Sequence, residues 1–289
     1  MLDNNNSEIP AFGELRPSAG QARLLKLCHQ DHGPWYARLV APLLRKQMVR
    51  YSPLPVDLSL DGLNMRCMFR DNYSEKKFVF TPWRYDRQER QLLNEHLGTS
   101  GVFLDIGANV GIYTLTALTQ QGFNGRILSF EPNPVTRQRL QTNLAANGWN
   151  PDDPRVQVMP FGVADTHSQF VLQLDSQNLG ASSINQHNRS RGPEATRKEV
   201  VIDCKPLLDV LAEQNVLHID VIKIDIEGAE DRAMAPYLKN ARDDQLARLV
   251  IIENSQHLWK EDVFALLLQR GYQRILHNRM NSVFYRPAL

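Results

Sequence analysis

Two apolar runs, each closed by a carboxylate and separated by a glycine-bearing turn and a helix-length stretch, constrain this chain more than any other feature. Val102-Phe103-Leu104-Asp105 runs into Ile106-Gly107-Ala108-Asn109-Val110-Gly111, and Ile127-Leu128-Ser129-Phe130 ends on Glu131. Runs so short and so apolar fit strands buried on both faces, and strands that alternate with helical stretches pair in parallel. Gly107 and Gly111 allow a tight turn and a close approach of backbone to a ligand. The helix expected from about Val110 offers unpaired N–H groups and a positive dipole end at the same place.

The rhythm persists downstream. Strands are expected at Val156–Met159, Val221–Asp225 and Leu249–Glu253, with an antiparallel pair, Arg274–His277 and Ser282–Tyr285, closing the fold. Asn133 followed by Pro134 reads as an N-cap and first helical residue, with Gly148 as the C-cap. Val263–Gln269 reads as a helix stopped by Gly271. The chain of 289 residues is long enough for one covered sheet with an N-terminal addition. Residues 1–20 read as a loose tail. Residues 21–97 read as a helical segment broken around Gly33-Pro34, a hairpin across Asp61-Gly62, a short strand at Phe78-Val79-Phe80 and a helix from Arg87 to His96. Residues 98–289 form the main domain, and 167–206 interrupt it as an inserted hairpin, Phe170–Leu174 against Glu199–Asp203, flanking a basic loop.

Four of these strands end in an acid: Asp105, Glu131, Asp225 and Glu253. In open α/β sheets a ligand sits beyond the carboxyl ends of the strands. Glu131 is placed to accept hydrogen bonds from ribose hydroxyls. A dinucleotide pyrophosphate needs Gly-x-Gly-x-x-Gly, but here Asn109 holds the middle glycine's place and Asp105 would repel the phosphates. A nucleoside carrying an ammonium and a sulfonium suits the acids, so S-adenosylmethionine is favoured over a nicotinamide cofactor.

Composition excludes several classes. With 33 Lys+Arg against 32 Asp+Glu, the net charge of +1 gives no basic excess for nucleic acid. No run is apolar enough to cross a bilayer, and Met1-Leu2-Asp3-Asn4-Asn5-Asn6 lacks the character of a secretory signal. Cys28, Cys67 and Cys204 have no metal spacing and read as reduced thiols of a cytoplasmic protein. The cations Arg38, Arg45, Lys46 and Arg50 invite a membrane-surface reading, but a packed helix with a solvated face is favoured.

Read in order, Phe103-Leu104-Asp105-Ile106-Gly107-Ala108-Asn109-Val110-Gly111, Phe130-Glu131-Pro132-Asn133-Pro134, Ile222-Lys223-Ile224-Asp225-Ile226-Glu227-Gly228-Ala229-Glu230 and Ile252-Glu253 resemble the FkbM family of S-adenosylmethionine-dependent methyltransferases. Gly162-Val163-Ala164-Asp165, Ala181-Ser182-Ser183 and Leu207-Leu208-Asp209 are similar more weakly. The resemblance covers roughly residues 75–285. It implies a class I methyltransferase fold, a Rossmann-like, seven-stranded, mostly parallel sheet with helices on both faces. It further implies that Asp105, Gly107, Asn109 and Gly111 hold the methionine end of the cofactor. Glu131 would bind the ribose with Asn133 close by, and Asp165 would lie by the adenine amino group. The implied acceptor is a hydroxyl of a sugar, glycan or natural product.

Removing a hydroxyl proton needs a base within hydrogen-bond reach. Lys223, Asp225 and Glu227 fall on one side of an extended strand, and Asp225 or Glu227 is the expected base. The competing roles are an ion pair of Asp225 with Lys223, and bonding of Glu227 to backbone N–H groups of the next helix. Asp225, Glu227, Glu253 and Asn254 present oxygens that could hold Mg²⁺, but an acidic rim needs no metal to face a sulfonium, and no metal is assigned. His29, His32, His218 and His257 read as surface residues. Ser182 and Ser183 lack a paired base. Arg189, Arg191, Arg197 and Lys198 could meet an anionic substrate or simply face water. The competing functions are a nicotinamide-dependent oxidoreductase and a non-catalytic module that keeps the fold.

Overall fold

The main domain is built on one seven-stranded sheet whose strands alternate with helices as expected. The structure is a computed structural model, and it describes residues 10–29, 34–174 and 198–287. Two helices, α1 (Ala19–His29) and α2 (Pro34–Tyr51), precede a hairpin of β1 (Val56–Leu60) and β2 (Leu63–Cys67). Helices α3 (Tyr73–Phe80) and α4 (Arg87–Leu97) lead into the core, which runs β3 (Val102–Ile106), α5 (Ile112–Leu118), β4 (Arg126–Phe130), α6 (Pro134–Ala145) and β5 (Val156–Met159). Strands β6 (Gly162–Val163), β7 (Ser168–Leu174) and β8 (Lys198–Lys205) form a small separate sheet. The chain then returns through α7 (Leu207–Glu213), β9 (Val221–Ile224), α8 (Glu230–Asn240), β10 (Leu249–Glu253), α9 (Val263–Gln269), β11 (Gln273–His277) and β12 (Asn281–Tyr285).

The large sheet has the order β11-β12-β10-β9-β3-β4-β5, with only β12 antiparallel to its neighbours. The central strands β9, β3 and β4 are apolar on both faces, and their side chains divide between two cores. Phe103, Ile127 and Val221 face one side with α5 and α6, and Leu104, Leu128 and Ile222 face the other with α7 and α8. This is the expected class I methyltransferase-like, Rossmann-like architecture. The strand order reverses between β9 and β3, which opens a crevice at their carboxyl ends.

Several local expectations change. Phe78-Val79-Phe80 is the end of helix α3, not a strand. Asn72 caps that helix by accepting from the Glu75 N–H at 2.9 Å, and all three apolar residues are buried in the first core. The described part of the expected loose tail is pinned. The Asp57 carboxylate, buried in an ion pair with Arg66, accepts from Gly13 N–H and Leu15 N–H, while Arg66 donates to the carbonyls of Pro10 and Ala11. Ala146 rather than Gly148 caps α6; Gly148 lies two residues beyond with φ +84°. The inserted hairpin forms as β7 against β8. Residues 1–9, His32, Ser182, Ser183, Arg189, Arg191 and Arg197 lie outside the described residues.

The N-terminal segment shares the first core with the sheet. Leu25, Phe69 and Phe78 join Leu140 and Val156 there. Arg66 N–H donates to Asn143 Oδ1, and Asn64 N–H to Asn147 Oδ1, so the hairpin is stitched to α6. His29 Nε2 lies 2.7 Å from the carbonyl oxygen of Val79 and ties α1 to α3. Among the described residues, no helix is long and apolar enough to cross a membrane.

Candidate active site

A cleft of about 930 Å³, part of it open to solvent, lies beyond the carboxyl ends of β3, β4 and β9. The turn after β3 builds its floor. Gly107 and Ala108 both donate their N–H groups to the Phe130 carbonyl at 3.0 and 2.9 Å, which clamps the turn to β4. Gly107 has φ +79°, and a Cβ there would sit 2.0 Å from the Asp225 carbonyl oxygen. Only glycine lets β3 and the turn after β9 approach so closely. Asn109 adopts the left-handed region at φ +51°, a conformation Asn tolerates better than most residues. Its Oδ1 accepts from Asn72 Nδ2 at 2.7 Å, so the cap of α3 also holds the cleft turn.

Glu131 stands in the wall, 8% exposed. One carboxylate oxygen accepts from Asn109 N–H at 2.8 Å and the other from Asn133 N–H at 2.9 Å. Burial pushes its pKa up, and these N–H donors pull the other way without cancelling it. Asn133 caps α6 through Oδ1, which accepts from Val135 N–H. Its Nδ2 is buried in the cleft wall with no hydrogen-bond partner among the described residues. An unused buried donor beside a carboxylate is the lining that a polar nucleoside fits.

Three other cofactor candidates occupy different places. Asp105 is fully buried behind the turn and forms no part of the cleft wall. Its side chain shares the Phe103 side of β3, where Thr114 of α5 donates both N–H and Oγ1–H to one of its oxygens. Asp165 also stays off the wall; it pairs with Arg232 at 2.8 Å. Gly111 lies behind the wall as the N-cap residue of α5, where a Cβ would meet Leu140 Cδ1 at 2.3 Å.

The far end of the cleft brings Lys223, Asp225 and Glu227 together, though not along one strand. β9 ends at Ile224, and Glu227 sits in a turn with φ +56°. Lys223 Nζ lies 3.4 Å from Asp225 Oδ2 and 5.3 Å from the centroid of the Tyr113 ring. Burial opposes its charge, but Asp225, Asp105 and Asp86 outweigh burial and hold its pKa above the ordinary value. Burial, then repulsion from Asp225 and Glu230, pushes Glu227 up to about 8.

Among the described residues the carboxylates meet in a grouping other than the expected one. Carboxylate oxygens of Asp225, Glu230 and Glu253 lie within 4.8 Å of one another. Glu230 nevertheless already accepts from Ile226 N–H, Gly228 N–H and Trp259 Nε1–H. The Asn254 amide is turned to Asn278 and Ser282. His218 and His257 lie outside the cleft wall.

The sequence reading missed the cleft's other surfaces. Ser74 and Tyr85 come from the N-terminal segment, Tyr113 from α5, and Leu172 and Ile202 from the inserted hairpin. Glu230, which locks the turn carrying Asp225 and Glu227, was visible as the last residue of Asp-x-Glu-Gly-Ala-Glu. Tyr85 had no signal, because its place depends on how α3 and α4 pack.

A family model for the methyltransferase FkbM domain matches residues 105–274, from the acid of β3 to the second residue of β11. The chain belongs to the FkbM methyltransferase family. Methyltransferase sdnD of Sordaria araneosa is 27% identical over 222 residues, covering 68% of this chain and 80% of that protein. Methyltransferase 1 of Beauveria bassiana (strain ARSEF 2860) is 26% identical over 140 residues, covering 44% of this chain and 54% of its own length. A crystal structure of a methyltransferase FkbM from Methylobacillus flagellatus KT superposes with a TM-score of 0.48 at 18% identity, over 87% of this chain and 60% of that one. An FkbM methyltransferase with this sheet implies an S-adenosylmethionine-type cofactor. Glu131 and the unused Asn133 donor fit such a group, and the crevice at the strand-order reversal has room for it.

Proposed function

We propose that this chain is an S-adenosylmethionine-dependent O-methyltransferase acting on a hydroxyl of a sugar, glycan or other natural product. The observation that carries the reading is the division of one cleft into two chemistries. At one end are Glu131, Asn133 and the Gly107–Asn109 turn, which would hold the nucleoside; at the other are Lys223, Asp225 and Glu227. The cofactor, when bound, supplies the electrophilic methyl group.

The chain's own residues then do two things. The walls fix the acceptor oxygen in line with the methyl group, since transfer from a sulfonium is chiefly a matter of alignment. Asp225 or Glu227 takes the hydroxyl proton. Burial and the neighbouring acids raise the Glu227 pKa to about 8, so its ionised, proton-accepting form grows as pH passes through that value. Lys223 pairs with Asp225 and orients it. Neither the turn nor the family match favours a nicotinamide cofactor. Three buried, unpaired cysteines suit a reducing, cytoplasmic setting.

The test pairs binding with turnover. Asp225→Asn and Glu227→Gln are each titrated with S-adenosylhomocysteine by calorimetry, then incubated with radiolabelled methyl donor and fractionated cell extract. The expected result is near-native binding in both, with label transfer lowered by at least about 100-fold in one of them. Undiminished transfer in both variants removes the base assignment. Absence of S-adenosylhomocysteine binding at millimolar concentration removes the cofactor reading.

A further inference from the structure

Helix α2 leaves one face open to solvent, and that face is neither polar nor mixed in charge. Trp35, Leu39 and Leu43 stand one turn apart and are 62%, 66% and 67% exposed. Lys46 and Arg50 continue the same row toward the C-terminus, with Arg45 exposed beside them. Tyr51, 68% exposed, ends the helix with the Arg50 guanidinium 5.3 Å from its ring centroid. The other side is seated: Met48 is buried, Leu44 and Val49 pack on the first core, and Tyr36 donates its hydroxyl hydrogen to the Leu27 carbonyl. The exposed apolar row is therefore not an unfinished core contact.

The charge is one-sided. Residues 19–51 hold six cations (Arg23, Lys26, Arg38, Arg45, Lys46 and Arg50) against one acid, Asp31, in a chain whose total is +1. The α2 segment itself contains no acid. Aromatic and leucine side chains in a row, continued by cations on the same row, match a bilayer interface. The apolar half enters the boundary region while the cations meet anionic headgroups. A second copy of the chain fits less well, because a two-fold contact through α2 would bring its cations against one another.

We propose that the α2 face docks the protein on an anionic lipid surface. The docking is reversible and peripheral, since a single helix of this kind lies in the interface and does not span it.

The full chain is sedimented with vesicles of phosphatidylcholine, and with vesicles of phosphatidylcholine and phosphatidylglycerol mixed three to one. Binding is expected only to the anionic vesicles, and it weakens as salt rises. The variant Trp35→Ser/Leu39→Ser/Leu43→Ser should lose sedimentation. The variant Arg45→Gln/Lys46→Gln/Arg50→Gln should bind on the order of a hundredfold more weakly. Should either variant fail to fold, unsubstituted protein mixed with brominated phosphatidylglycerol vesicles is expected to lose part of its tryptophan fluorescence, and no quenching overturns the proposal. So does equal binding to neutral vesicles, or binding unchanged in both variants. A lipid-free dimer that the serine variant dissolves also overturns it, assigning the face to a second copy instead.

Discussion

Replacing Gly107 by alanine separates backbone strain from steric overlap, because Gly148 provides a matched control. Both glycines have left-handed φ values, +79° and +84°, so both alanines bear the cost of that region, about 1–2 kcal/mol. Both also gain about 0.4–1 kcal/mol from a less flexible unfolded chain. At Gly148 nothing lies within 4 Å of an added Cβ, so Gly148→Ala should cost only the difference, about 0–1.6 kcal/mol. At Gly107 the Cβ would stand 2.0 Å from the Asp225 carbonyl oxygen and 3.1 Å from Ile226 Cγ2. The atom in the way is backbone at the end of β9, so reaching an ordinary contact requires the two strand ends to part by about 1.5–2 Å. Overpacking of this kind adds about 1–3 kcal/mol, for a total of about 1–4.6 kcal/mol. Urea denaturation measures both variants, and calorimetry with S-adenosylhomocysteine measures the cleft. Gly107→Ala should also lose cofactor binding, because Asp225 and Ile226 would be displaced. Equal stability costs for the two alanines would refute the reasoning, since the overlap would then have no energetic weight.

Three other outcomes are expected. Asn72→Ala removes both the α3 cap and the donor to Asn109 Oδ1, so thermal melting should report a loss of about 1–2 kcal/mol, with weaker S-adenosylhomocysteine binding alongside. Glu131→Gln replaces an acceptor of two backbone N–H groups with an amide that can satisfy only one, and calorimetry should show affinity falling at least tenfold. Burial first, then repulsion from Asp225, pushes Glu253 up to about 9, and Glu227 rises to about 8. A folded-state carboxyl pKa above its unfolded value of 4.5 means the native state holds extra protons, so stability should fall as pH rises from about 5 to 9. Glu253→Gln should flatten that decline in melting curves taken across the range; an unchanged slope would remove Glu253 as its source.

Much of the site was legible because it is encoded by local chemistry. Gly107 and Asn109 mark a turn that few other residues tolerate, and Asn133-Pro134 announces a helix start that the structure keeps. Glu131 was readable from its position at a strand end. Side-chain direction was harder. Asp105 and Glu131 close adjacent strands, yet one faces α5 and the other the cleft, because Asp105 falls within β3 whereas Glu131 lies just past the end of β4. Lys223, Asp225 and Glu227 reach one cleft through a left-handed turn rather than strand alternation, and that turn is set by Glu230 and its three donors. Phe78-Val79-Phe80 looked like a strand because its apolar residues are consecutive; the packing of α3 between α1 and the core buries all of them, which no periodicity announces. The reach of Tyr85 into the cleft is a product of tertiary packing alone.

The hydrogen bond from Asn72 to Asn109, with Ser74 and Tyr85 in the same cleft wall, joins the first hundred residues to the large sheet at the cleft itself. A protein without that leading segment would lose Ser74 and Tyr85 from the cleft wall and the Asn72 donor that holds the Asn109 turn. Exchanging that leading segment between relatives would therefore reshape one wall of the cleft while leaving Glu131 and Asn133 in place.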